Sequence, residues 1–262
     1  MSVLVLQDEI VHYEVLGRGR PLIFLHGWVG SWRYWVPAMQ AASASYRAYA
    51  LDFWGYGESS RNTSLYSLEN QTSLLGDFMD QMGVVKSVLV GHGLGAIAAL
   101  QFACQNPDRV DRLMLTALPG PSQPLPARLR RGSMDDLVDW LLGKSPERQV
   151  ERTESLRADE RALQRALQAV EQLDLASLAF RLQRPCLLVY GQNDPLGEPG
   201  TPDLAALLPG HFHQVFFEQS GHFPMLDEPA KFNRLLADFL ALNSAESLQQ
   251  LQLKEEWKRR VR

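Results

Sequence analysis

The stretch Ser87–Ala96, SVLVGHGLGA, constrains the fold more than any other. A short apolar, β-branched run meets glycines at 91, 93 and 95 and then a small-residue helical start, the pattern of a strand turning sharply into a helix. Such a turn either cradles a phosphate on backbone N–H groups or presents a nucleophile at the mouth of a sheet. Its central position here, Gly93, has no side chain to present.

The surrounding chain alternates strand and helix patterns. Val3–Leu6 and Ile10–Leu16 alternate apolar and polar residues, and Gly17-Arg18-Gly19 turns into the run Pro21–Leu25. This predicts an antiparallel meander feeding a buried strand. Tyr46–Leu51, Ser87–Val90, Arg112–Thr116, Cys186–Tyr190 and Gln214–Phe217 are further runs suited to central strands. Helical patterns cover Ser67–Met82, Leu94–Gln105 and Ala230–Leu242, the last with Phe232, Leu235, Leu236 and Phe239 on one side. The alternation implies an α/β fold: a mostly parallel sheet with helices on both faces and ligands beyond the carboxyl ends of its strands.

One region breaks the pattern. A proline-rich hinge from Pro119 to Pro126 precedes a long stretch without strand signals. Ser133 opens an amphipathic helix that Gly143 closes, Ser145-Pro146 supplies an N-cap with proline at the first helical position, and Asp159 caps a third helix. That helix places Ala162, Leu163, Ala166, Leu167, Val170 and Leu173 on one face. Residues 121–183 therefore read as a helical cap inserted into a core of 1–120 and 184–243; ordinary crossover helices are the plainer alternative, but crossovers are usually much shorter. Residues 244–262 read as a helical tail, with Leu248, Leu251 and Trp257 on one side and Lys258, Arg259, Arg260 and Arg262 at its end. Packing on its own domain and a homodimer contact both suit such a tail.

Composition narrows the function classes. With 262 residues, 45% of them hydrophobic, the chain can bury the core of a single α/β domain with an insertion. A net charge of −4 argues against nucleic acid or an anionic membrane as partner. Cys104 and Cys186 both lie in apolar segments, as buried thiols in a reducing compartment do. The start MSVLVLQDEIVHYEV has neither a basic segment nor a continuous apolar one, and no run approaches the roughly 18 apolar residues of a membrane span. A soluble cytoplasmic protein is expected, with a small molecule as its partner. His12, on an alternating strand, is expected at the surface. His211 and His213 share a spacing that can suit a metal, but no carboxylate or cysteine pattern joins them, so neither metal nor cofactor is expected.

Two motifs compete for the glycine turn. As G-x-G-x-x-A, Gly91, Gly93 and Ala96 have the local context of a dinucleotide site. The acid such a site needs would be Asp111, which precedes the strand Arg112–Thr116 and so lies at the wrong end of the sheet. As small-x-nucleophile-x-small, the same residues form a nucleophile elbow with position 93 at its centre.

Five segments carry a resemblance. LHGW (Leu25–Trp28) looks like an oxyanion loop, LDFWGYGESS (Leu51–Ser60) fits D-x-x-G-x-G-x-S, and SVLVGHGLGA supplies the elbow. LLVYGQNDP (Leu187–Pro195) and SGHFPMLDEPAKFN (Ser220–Asn233) look like the segments bearing a catalytic acid and a catalytic histidine. Over about residues 9–240 the chain resembles the α/β-hydrolase superfamily, in its capped esterase and epoxide-hydrolase-like branch. The resemblance implies an eight-stranded sheet, Asp194 as the acid, His222 as the histidine and Gly93 at the nucleophile position, with Trp28 and Leu94 giving the oxyanion hole. His26, Gly27, Trp32, Trp54, His92 and Phe223 are the expected substrate-binding residues. Trp28, Trp32, Tyr34, Phe53 and Trp54 would line an aromatic pocket, while Trp35 and Trp140 would pack in the core.

The departure lies at position 93, where the family carries a serine, cysteine or aspartate. Three readings stay open. His222 and Asp194 act as a dyad on a small apolar or aromatic ester or carbonyl compound without a side-chain nucleophile; or the chain binds a ligand or partner without turnover; or a serine hydrolase has had its nucleophile engineered to glycine.

Overall fold

The structure, a computed structural model, describes residues 2–120, 125–197, 209–243 and 248–251. Strand position follows strand pattern. β1 (Ser2–Leu6) alternates in exposure, as an edge strand does, and β2 (Glu9–Leu16) beside it is partly exposed along most of its length. β3 (Arg20–Leu25), β4 (Tyr46–Leu51), β5 (Ser87–His92), β6 (Val110–Thr116) and β7 (Cys186–Gly191) are buried along most of their length, and β8 (Phe212–Phe217) is again partly exposed. The eight form one sheet in the order β1-β2-β4-β3-β5-β6-β7-β8. β2 runs antiparallel to both neighbours and the other pairings are parallel.

The expected meander stops after β2. β4, not β3, pairs with β2, so the turn at Gly17–Gly19 carries the chain past a vacant place in the sheet. The run Pro21–Leu25 is apolar throughout and belongs where both faces are covered, whereas the partly exposed β2 lies beside the edge strand β1. With β3 between β4 and β5, the chain leaves β3 toward one edge and returns past it. The connections after β3 and β5 run to opposite sides of the sheet, and in α/β sheets ligands bind at the carboxyl ends of the strands where the order reverses in this way.

α1 (Val36–Ala42), α2 (Leu68–Gln81) and α3 (Leu94–Gln105) follow β3, β4 and β5. Among the described residues five α-helices stand between β6 and β7: α4 (Ala127–Arg131), α5 (Met134–Leu141), α6 (Gln149–Ser155), α7 (Glu160–Gln172) and α8 (Leu175–Arg181). After β8 come α9 (Pro224–Asp227) and α10 (Pro229–Ala241). α10 packs on α1, and α3 lies against both α2 and α8. Under α1 and α10, Trp35 is buried between Phe24 and Phe232, with ring centroids 5.1 and 6.2 Å away.

The inserted helices start where their caps predict. Ser133 and Asp136 form a capping box for α5, and Asp159 accepts the Arg161 amide at 3.0 Å to begin α7. α7 buries Ala162, Leu163, Ala166, Leu167 and Val170. Trp140 is only half-buried, with the Arg128 guanidinium 4.8 Å above its ring, because α5 leaves that side partly open. The insert is fastened to the loop after β4 by the Asp159 amide on the Gly55 carbonyl (2.8 Å) and the Tyr66 hydroxyl on Asp159 (2.9 Å). Part of the proline hinge, 121–124, lies outside the described residues, as does most of the expected tail helix, including Trp257 and the basic residues after it. Leu248 and Leu251 are buried near β8, where His213 Nε2 donates to the Leu251 carbonyl at 2.9 Å. Cys186 is buried and Cys104 half-buried; both are free thiols. No helix among the described residues is long and apolar enough to cross a membrane.

Candidate active site

Gly93 is the single residue between β5 and α3. Its φ of 51° and ψ of −111° turn the chain in a region that side chains rarely adopt. The turn is tied on both sides: Gly93 N–H donates to the Thr116 carbonyl at 3.0 Å, and Gly95 N–H to the His26 carbonyl at 2.9 Å. A Cβ at position 93 would stand 3.2 Å from Cε3 and Cζ3 of Trp28 and 3.5 Å from Gly27 Cα. The indole thus crowds, without filling, the place where a side chain at the turn would begin.

Two more loops at the same end of the sheet bring together an acid and a base. After β7, the Gln192 and Asn193 amides donate to the Phe217 and Ser220 carbonyls at 2.8 and 2.9 Å, so the loops after β7 and β8 hold each other. Asp194 and His222 then face one another, both buried. His222 Nδ1 lies 2.9 Å from Asp194 Oδ2 and 3.1 Å from Oδ1. Nδ1–H donating to the carboxylate leaves Nε2 as the basic nitrogen. Asp227 Oδ2 accepts the Gly221 amide at 2.8 Å and steadies the loop one residue before the imidazole. The His222 ring lies 4.7 Å, centroid to centroid, from His92, the residue preceding Gly93.

Two backbone amides near the turn have no acceptor among the described residues. Leu94 opens α3, so its N–H has no acceptor within the helix and stands at the positive end of the helix dipole. The Trp28 amide likewise makes no hydrogen bond among the described residues.

A family model described as the alpha/beta hydrolase family matches residues 22–235. The chain belongs to this family. A pimeloyl-[acyl-carrier protein] methyl ester esterase from Nitrosomonas europaea is 25% identical over 253 residues, covering 85% of this chain and 96% of that one. Among solved structures, a hydrolase from Pseudomonas aeruginosa PA01 superposes with a TM-score of 0.81 at 21% identity, covering 92% of this chain and 98% of that one. A mutant of the N-acyl homoserine lactonase AidH, with serine replaced by glycine, complexed with N-hexanoyl homoserine lactone, superposes with a TM-score of 0.79 at 22% identity, covering 91% and 96%.

Within this α/β-hydrolase the other expected site residues have various surroundings. Both nitrogens of buried His26 are used: Nδ1 donates to the Gly27 carbonyl (2.8 Å) and Nε2 accepts the Phe53 amide (3.0 Å). Burial, only partly opposed by the charge of Asp52, holds its pKa below the ordinary value, so it is a neutral brace. His92 is equally buried with both nitrogens engaged, and Phe223 is packed against it at 4.8 Å. Neither imidazole keeps a free nitrogen for a ligand. Trp54 is held at its backbone by the Gln71 amide (2.9 Å each way), while its indole N–H and that of Trp28 are buried with no partner among the described residues. Trp32 stands further out, its ring against His12 at 5.6 Å and the Arg33 guanidinium at 4.8 Å. Asp111, near the start of β6, lies at the end of the sheet remote from the glycine turn.

His12, expected at the surface, is buried. Its Nδ1 lies 2.9 Å from Asp52 Oδ2, and that carboxylate also accepts the amides of Trp32 (2.9 Å) and Glu58 (3.1 Å). Alternation along β2 gave the direction of the ring, but the loops from β3 and β4 cover that face. The useful signal was Asp52 in the D-x-x-G-x-G-x-S segment, a buried charge that requires donors. Among the described residues no group of three or more His, Cys, Asp or Glu is placed to hold a metal.

Proposed function

We propose that this α/β-hydrolase acts on a small apolar or aromatic ester or carbonyl compound through His222 and Asp194, without a side-chain nucleophile. The carrying observation is the buried His222–Asp194 contact of 2.9 Å beside the Gly93 turn. His222 Nε2 takes a proton from water or from the substrate, and Asp194 stabilises the imidazolium that forms. In hydrolysis the water oxygen bonds to the carbonyl carbon as His222 takes its proton, and the Trp28 and Leu94 amides receive the developing oxyanion. The carbonyl re-forms as the bond to the alcohol oxygen breaks and that oxygen takes the proton from His222. Loss of a nucleophile is compatible with turnover, because triad knock-outs in a serine protease retain roughly 10³–10⁴-fold catalysis over water. The helices of 121–183 act as a cap over the carboxyl ends of the strands, and the methyl ester esterase among the relatives supports an ester as the substrate.

A second reading, ligand binding without turnover, is favoured by the indole pressed against position 93 and by the serine-to-glycine lactonase mutant that carries a bound lactone. Short p-nitrophenyl esters separate the two. The native chain is expected to hydrolyse them above the buffer rate, and His222→Ala to lower that rate by about 10²-fold or more. Turnover that appears only in Gly93→Ser supports binding alone; native turnover unaffected by His222→Ala rules out the dyad.

A further inference from the structure

We infer that Tyr34 and His92 are positioning residues, forming a buried relay of hydrogen bonds that fixes the oxyanion loop against the backbone of His222. The inference rests on the proposed role of His222 as base. Gly27 N–H donates to Tyr34 Oη at 2.6 Å, Oη lies 3.0 Å from His92 Nδ1, and His92 Nε2 lies 3.0 Å from the His222 carbonyl oxygen. A carbonyl can only accept, so Nε2 carries the hydrogen. In a neutral imidazole Nδ1 is then bare, and the Tyr34 hydroxyl donates to it. The three bonds thus run in one direction, from the residue before Trp28 to the residue proposed as base.

The surroundings keep both groups in those forms. Burial, with the neighbouring His222, pushes His92 well below the ordinary histidine range, and burial pushes the Tyr34 phenol well above its own. Phe223 closes the relay from water, with its ring 5.7 Å from Tyr34, 4.8 Å from His92 and 5.1 Å from His222. Hydrogen bonds in so apolar a setting hold their geometry strongly, and leaving one partner unpaired is costly. The sequence also leaves room for the relay: a Cβ on Gly27 would approach His92 Nδ1 to 2.7 Å. The Trp28 amide and the His222 ring must meet neighbouring atoms of one substrate, and a misplacement of about 1 Å can cost on the order of 10²-fold.

The test compares the native chain with Tyr34→Phe, His92→Leu and His92→Gln, the last offering one donor and one acceptor in place of the imidazole. Nitrogen-15 spectra of the native side chains are expected to show His92 as the Nε2–H tautomer with slow solvent exchange. Tyr34→Phe should speed that exchange by about tenfold or more and move the His222 Nδ1–H resonance. With ester substrates, kcat should fall about 10–100-fold in Tyr34→Phe and His92→Leu at nearly constant KM, and His92→Gln should recover much of the loss. An Nδ1–H tautomer for native His92, His222 resonances that ignore Tyr34→Phe, or His92→Gln as impaired as His92→Leu would overturn the relay. The spectra decide it even where the ester assay shows no turnover, so failure of the proposed reaction and failure of the relay are read separately.

Discussion

At Gly93 the dihedral pair of 51° and −111° costs an L-residue about 1–3 kcal/mol, and a Cβ there also meets the Trp28 ring at 3.2 Å. Gly93→Ser is therefore expected to lower unfolding stability by about 1–3 kcal/mol, seen as a lower urea midpoint with unchanged slope. An unchanged or raised midpoint means the turn relaxes around serine. Gly27→Ala is expected to cost a similar amount, about 1–3 kcal/mol, because its methyl group would stand 2.7 Å from His92 Nδ1 inside a packed site. Melting curves of the purified variant check this, and a wild-type midpoint would show that His92 moves freely. Asp194, His222 and position 93 were legible because each sits in a short local motif. Tyr34 was not legible as a brace, since its partner His92 is 58 residues away and His92's own acceptor a further 130. Nothing local distinguishes a histidine that brackets a site from one that faces a ligand.

The elements divide in the same way. α7 declared itself through six apolar positions on one face, five of them buried within the helix, and an Asp cap, but α4 and α8, of five and seven residues, are too short for periodicity to mark. Where the insert grips the core was also hidden. Asp227, at the end of α9, accepts the Gly221 amide through one oxygen and pairs with Arg148 of the insert through the other. The two oxygens have separable worth. Arg148→Gln removes only an ion pair at the protein surface whose side chains stay partly in water, worth about 0–1 kcal/mol. Asp227→Ala also removes a charge-assisted bond to a backbone amide, about 1.5–3 kcal/mol, next to His222. Asp227→Ala is thus expected to destabilise clearly more than Arg148→Gln and to lower ester turnover as well. Equal urea midpoints for the two variants would show that the Gly221 contact contributes nothing.

Across the whole molecule, the parallel sheet was readable from apolar runs, yet the exchange of β3 and β4 was not, because strand order depends on which strand needs both faces covered. The same loops that bury β2 also bury His12, and this gives stability a pH dependence of definite sign. Burial alone would lower the His12 pKa from 6.5, but the hydrogen bond and charge of Asp52, with Glu58 and Glu14 nearby, outweigh it and hold the imidazole above that value. Its stabilisation is complete below the unfolded pKa near 6.5 and is lost as pH rises through the folded one. His26, His92 and His211 are shifted the other way, each chiefly by burial, so the unfolded chain takes up their protons first as pH falls below 6.5. Each histidine changes stability by up to about 1.4 kcal/mol per pH unit within its window. Urea midpoints between pH 5 and 8 are therefore expected to peak near pH 6.5, falling more steeply on the acid side, where three histidines act, than on the alkaline side, where one does. His12→Gln should flatten the alkaline limb and leave the acid limb in place. A native stability that climbs steadily from pH 6.5 to 8 would mean that His12 is not charged against Asp52 in the folded chain.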